Sequence, residues 1–229
     1  MSWWQRFRVH SDAPPDSPVC PELTLELPGW HEEEPRDGMR FWRHADGDVL
    51  ALMPDNPFEL PPLGDRRAAQ QWCRAIAEGN GGGLIEVRVS ESELGETLGF
   101  IYKRLKVPAY IFTGMLIVPD EQVRGVWTVV CGEHGMTGVR EAVVTAQLMS
   151  AGQMTLDDYQ QSWAQDPYDP AYAGVDRSSL RFRSDAEQYD AQFPEHPLTR
   201  VREVLAAPPT AIWLEADPAD GDKNAPEES

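Results

Sequence analysis

Apolar residues recur along this chain with two periods, and the period changes from segment to segment. Leu23, Leu25 and Leu27 alternate with Thr24 and Glu26, the two-residue repeat of a strand, and Pro28-Gly29 closes it. The acidic run Glu32-Glu33-Glu34, followed by Pro35-Arg36-Asp37-Gly38, reads as a solvated turn. Residues 39–44 and 48–53 flank Ala45-Asp46-Gly47 and predict a hairpin, because Asp-Gly supplies the positive φ of a tight turn. The period then lengthens. Behind Asp65, a residue suited to cap a helix, Ala69, Trp72, Cys73 and Ile76 fall on one helical face. Gly79-Asn80-Gly81-Gly82-Gly83 ends that helix. The glycines follow a helix and precede a strand, with no Lys-Ser/Thr behind them, so they read as a C-cap and connector and not as a phosphate loop.

Residues 84–131 return to the strand period. Ile85, Val87 and Val89 alternate with Glu86 and Arg88, and 97–104, 109–118 and 125–131 are rich in β-branched and aromatic residues, which predicts four antiparallel strands. A second helix follows, with Thr137 as its expected cap, Val139, Ala142, Val143, Ala146 and Met149 on one face, and Gly152 as its stop. The last third is irregular. Thr155 with Asp158 forms a capping pair for a short helix, and Ser184-Asp185-Ala186-Glu187 fits a capping box. Pro197 opens a final helix with Leu198, Val201 and Leu205 inward, and 211–215 suggests a last strand. The fold class is α+β: an antiparallel sheet of about six or seven strands, two main helices on it, and an irregular helical C-terminal extension. We divide it into a lead-in (1–20), a core domain (21–152), an acidic, aromatic extension (153–215) and a polar tail (216–229) that is too acidic to bury a core.

Composition narrows the function classes. The 229 residues carry a formal net charge of −18, which repels phosphate backbones and anionic membrane surfaces and favours a basic partner. The N-terminus lacks the apolar core of a signal peptide and no stretch is long and apolar enough to span a bilayer, so a cytoplasmic protein is expected. Trp3 and Trp4 are too short an apolar segment to anchor it. Cys20, Cys73 and Cys131 are widely spaced; Cys73 and Cys131 read as buried small hydrophobes.

The order strand, hairpin, helix, four strands, helix over roughly residues 20–150, with the stretches Leu27-Pro28-Gly29-Trp30 and Gly114-Met115-Leu116-Ile117-Val118-Pro119, resembles the PsbP-like fold. That fold is shared by the PsbP photosystem protein, a Ran-binding import factor and the adaptor chaperones of type VI secretion effectors. The resemblance implies a binding role, without catalysis or cofactor; fold likeness does not name the partner.

Two candidate sites emerge. His134, Arg140 and Glu141 gather around the start of the second helix, where free backbone N–H groups and a guanidinium suit an anion or small ligand. Trp163, Tyr168, Asp169, Tyr172, Tyr189 and Asp190 lie in a segment where rings alternate with carboxylates, a composition suited to gripping a basic protein. No two of the five histidines stand at i, i+3 or i, i+4, and no nucleophile elbow occurs, so neither a metal nor a catalytic residue is predicted. The leading expectation is a protein-binding module of the adaptor, chaperone or immunity-inhibitor kind; the alternative is an enzyme or ligand binder using a cleft near His134.

Overall fold

The computed structural model describes residues 23–24, 27–53, 58–92, 95–118, 125–206 and 210–211. Cys20, the N-terminal tryptophans, the tail and most of the suggested strand at 211–215 lie outside these residues. The chain divides into two compact units, residues 27–208 and residues 1–26 with 209–229. In the smaller unit strands β1 (Leu23–Thr24) and β11 (Thr210–Ala211) pair antiparallel.

In the larger unit the chain runs β2 (Trp30–Arg36), β3 (Met39–His44), β4 (Val49–Met53), α1 (Arg66–Gly79), β5 (Gly83–Ser92), β6 (Gly95–Lys106), β7 (Ala109–Val118), β8 (Gly125–Gly132) and α2 (Val139–Ser150). Then come α3 (Leu156–Ser162), β9 (Ala164–Gln165), β10 (Arg181–Phe182) and α4 (Pro197–Ala206), with 3₁₀ turns over 177–179, 183–185 and 187–192. Seven strands form one antiparallel sheet in the order β2-β3-β4-β8-β7-β6-β5. The architecture is α+β, as the periodicities predict, and residues 153–206 belong to the same compact unit as the sheet.

The acidic run at 32–34 is strand, not turn. The turn is confined to Asp37-Gly38, both at positive φ. β2 is an edge strand held by a charge ladder, with Arg40 donating to Glu32 at 2.8 Å and Arg43 to Glu33 at 2.6 Å. Charges and Pro35 on the outermost strand discourage pairing with other chains. That is why it lacks the apolar alternation by which strands are recognised.

Strand register sorts the sheet into two faces. Leu98, Phe100, Met115, Ile117 and Val126 turn toward α1, whose Ala69, Cys73 and Ala77 are fully buried among them. Asp65 caps α1 as expected, accepting from the N–H groups of Arg67 and Ala68. On the other face lie Ile101, Phe112, Gly114 and Val129, covered by α4 through Val201 and Leu205. Gly114 is required there, because a Cβ would stand 2.6 Å from Val201 Cγ1.

α2 departs from expectation in two ways. Thr137 does not cap it; the Thr137 hydroxyl donates to the Pro108 carbonyl at 3.3 Å, and the helix starts from Gly138, whose φ of 73° suits glycine. Its buried residues are Arg140, Val144 and Leu148, whereas Val139, Ala142, Val143 and Ala146 of the expected apolar stripe face solvent and only Met149, its fifth member, packs inward, half-buried against the cluster of Val144 and Leu148. The helix is packed with its charges inward.

Candidate functional site

The inward side of α2 meets a row of charges on the sheet's α4 face. Lys103 sits in the same strand phase as Ile101, so β6 points its ammonium into the interior. There Lys103 donates to Asp185 at 2.6 Å, and its nitrogen lies 3.1 Å from the centre of the Phe182 ring. Both charged side chains are 0% exposed. Burial lowers the pKa of the Lys103 ammonium, and the Asp185 carboxylate works against that shift.

Beside this pair, Arg140 makes four hydrogen bonds. It donates to the carbonyls of Ser184 (2.7 Å) and Ala186 (3.0 Å), to the Thr199 hydroxyl (3.3 Å) and to Asp190 (2.8 Å). Asp190 also receives Arg202 at 2.8 Å, and Arg202 reaches Glu86 at 2.7 Å and the Asp185 carbonyl at 2.7 Å. Arg200 pairs with Asp48 at 2.8 Å, and Asp48 also accepts the N–H of Gly132. The bonds of Lys103, of Arg140, of Arg202 to Glu86 and of Arg200 to Asp48 join the extension to α2 or to the sheet side. A buried pair of this kind fastens two elements, and removing one partner costs about 3–5 kcal/mol because the other charge is left unmet.

The first candidate set is therefore split. Arg140 is 0% exposed, and four of its five N–H groups are committed within the fold, so it is not presented to a ligand. His134 is exposed, 3.9 Å from Asp48. Glu141 turns inward, and both carboxylate oxygens are buried without a hydrogen-bond partner among the described residues. Burial, and then the charge of Asp185, raise its pKa to about 7.

Glu141 belongs to a second grouping, with Glu133 and His196, whose ligand-capable atoms lie within 4.8 Å of one another. Two features count against a cation here. Both Glu133 oxygens already accept backbone N–H groups, from Tyr110 (2.9 Å) and Gly138 (3.0 Å). His196 Nδ1 accepts the N–H of Leu198 at 3.2 Å, so in the neutral ring Nε2 carries the proton and is a donor. Burial first, and then the nearby positive charge of Arg140, depress the His196 pKa to about 3. A cleft of about 320 Å³ opens over Glu133, His134, Met136, His196 and Arg200.

In the second candidate set the rings mostly pin the extension. Trp163 is buried, stacked on Phe182 at 5.9 Å. The Tyr172 hydroxyl donates to Glu78 at 3.0 Å and its ring lies under Arg74. The Tyr168 hydroxyl accepts the N–H of Val87, a sheet-edge contact, while much of its ring stays exposed beside Asp169. Tyr189 is half-buried and Asp190 is held by two arginines. Cys73 and Cys131 are buried; desolvation pushes the Cys73 thiol up to about 12 and Cys131 well above its usual value, which makes both unreactive.

Sequence reading missed Lys103, Asp185, Arg202, Glu86, Arg200 and Asp48, whose partners lie 82, 116 and 152 residues apart. One signal was present: a lysine in the inward phase of an apolar strand requires a buried anion. No family, curated protein or solved structure matches the chain. Among the described residues no helix is long and apolar enough to cross a membrane.

Proposed function

We propose that this chain is a non-enzymatic protein-binding module, of the adaptor, chaperone or immunity-inhibitor kind, and that a basic protein docks on the outer face of α2. The observation that carries the reading is the inverted helix. The only charged residues of α2, Arg140 and Glu141, turn inward, and the face left to solvent is Val139, Ala142, Val143 and Ala146. Val139 and Val143 are each 39% exposed, and Met136, just before the helix, is 84% exposed. The bond from Thr137 to Pro108 brings Val107, 81% exposed, to the same end. Scattered exposed apolar residues need no explanation, but a helix face without an accessible charge is a surface suited to being covered.

The net charge of −18 supplies the partner's chemistry, since it accelerates encounter with a cation and repels a second copy of the chain. The resemblance to the PsbP-like fold supports the same reading. The exposed Tyr168 and Asp169 offer a second contact. The alternative, an enzyme or ligand site built on His134, Arg140 and Glu141, is weakened because Arg140 is fully buried and bonded within the fold.

The test compares the wild type with Val139→Asp/Val143→Asp in mild-salt purification from the native host, read by native mass spectrometry. Expected is a stoichiometric basic protein that the wild type holds, that rising salt releases, and that the double variant lacks. A partner retained by the variant, or a wild type that stays alone, overturns the reading. So does a homodimer that the variant dissolves, because the face is then an interface between copies.

A further inference from the structure

An open cleft of about 430 Å³ lies between the end of α2 and the extension, away from the α2 face proposed for the partner. Its rim carries Arg181 and Arg183, which flank Phe182 on β10. Neither guanidinium makes a hydrogen bond or an ion pair among the described residues. Four arginines around the extension behave differently: Arg74, Arg140, Arg200 and Arg202 are each committed to a carboxylate within 2.8 Å.

The cleft's one acidic residue is Asp166, and it is already neutralised. Its carboxylate is 0% exposed, held by Arg74 through two bonds of 2.9 and 2.7 Å, and it also accepts the N–H groups of Tyr168 and Asp169. The charge on the cleft's own lining is therefore positive, within a chain of charge −18; outside the lining, the exposed Asp158 carboxylate also interacts with Arg183. Further donors come from Gln153 and Gln188 on the lining, and Trp163, Phe182 and Tyr189 supply an apolar wall.

We propose that this cleft binds a small organic anion, a carboxylate or phosphate monoester with a flat apolar body, whose oxyanion lies between Arg181 and Arg183 and whose body lies along Tyr189 and the Trp163–Phe182 edge. A guanidinium fork matches either oxyanion, and a volume of this size suits a metabolite. The chain's overall negative charge does not forbid it, because at physiological ionic strength charges beyond about 8 Å are screened while the two guanidiniums are in contact. Trp163 and Tyr189, expected from the sequence to meet a basic protein, here form part of an anion-receptive wall.

The experiment is isothermal titration calorimetry of the full chain with four probes: adenosine monophosphate, benzoate, inorganic phosphate and uncharged adenosine. We expect a ring-bearing anion to bind at least tenfold more tightly than phosphate or adenosine. Which of the first two probes binds distinguishes a phosphate source from a carboxylate source. Arg181→Gln/Arg183→Gln, checked for an unchanged thermal midpoint, should weaken that binding by about tenfold or more, because charge-assisted bonds are lost. Absence of binding by both ring-bearing anions at millimolar concentration overturns the proposal, as does binding equal for adenosine. Binding unchanged in the double variant overturns it as well. Tyr189→Ala, expected to weaken the ring-bearing probe and leave inorganic phosphate unaffected, provides a second check should the arginine variant fold poorly.

Discussion

α1 and α2 are two helices of similar length on one scaffold, and they solve the problem of sidedness in opposite ways. In α1 the small apolar residues Ala69, Cys73 and Ala77 face the sheet, while Arg66, Arg67 and Glu78 face water. In α2 the apolar stripe faces water, and the inner face holds Arg140 and Glu141 among buried ions. α1 is held by burial, α2 by a network of directed bonds to residues 184–199 and the small apolar cluster around Val144 and Leu148. A hydrophobic stripe thus locates a helix but does not say which way it faces.

The largest effect should come from placing one charge on each helix. Ala69→Asp buries an unpaired carboxylate and should cost on the order of 4 kcal/mol or more. Ala142→Asp, on the exposed face of α2, should change stability by less than about 0.5 kcal/mol while weakening partner binding. Urea denaturation of both variants decides it. Equal losses would mean that α2's outer face is covered within the folded chain, and the comparison would collapse.

The next effect tests what holds α2 down. Arg140→Met keeps the side chain's length and removes its charge. It leaves Asp190 with Arg202 alone and strands the Ser184 and Ala186 carbonyls, an expected loss of about 3 kcal/mol. The same change at the exposed Arg67 of α1 should cost less than about 0.5 kcal/mol. If Arg140→Met is no more harmful than Arg67→Met, the buried network does not fasten the helix.

The legibility of this chain in its sequence follows the same division. α1, the 39–53 hairpin, the four strands from 83 to 132, the Thr155–Asp158 capping box and Pro197 at the start of α4 were all readable, because each depends on neighbours within a few residues. β2 was not, since its charges suit an edge. The orientation of α2 was not, since Arg140 finds Asp190 only after 3₁₀ turns bring residues 183–192 back over the sheet. The acidic, aromatic composition of 163–193 was visible. Which of its carboxylates stay free was not: Asp166, Asp185 and Asp190 are consumed by Arg74, Lys103, Arg140 and Arg202. The free arginines, 181 and 183, become visible only by subtraction.

The smallest effect concerns pH and separates Glu141 of α2 from its neighbour His196. Glu141 is faced by Asp185, Glu133 and Lys103, and its pKa rises from 4.5 to about 7 on folding. The folded state therefore holds a proton that the unfolded chain has released, so this group's contribution falls as pH rises from about 4.5 to about 7. His196, neutral in the fold with a pKa of about 3 against 6.5 unfolded, acts oppositely: its contribution rises with pH across about 3 to 6.5. Between about 4.5 and 6.5 the two slopes oppose each other, so these two groups leave little net pH dependence there. Glu141→Gln mimics the protonated carboxyl and removes one slope. Stability of that variant should climb by on the order of 1–2 kcal/mol across the window relative to the wild type, and exceed the wild type above pH 7. Denaturation at half-unit pH steps measures it. A variant whose profile stays parallel to the wild type would show that Glu141 is ionised in the fold, and that α2 keeps a true ion pair inside rather than a neutral acid.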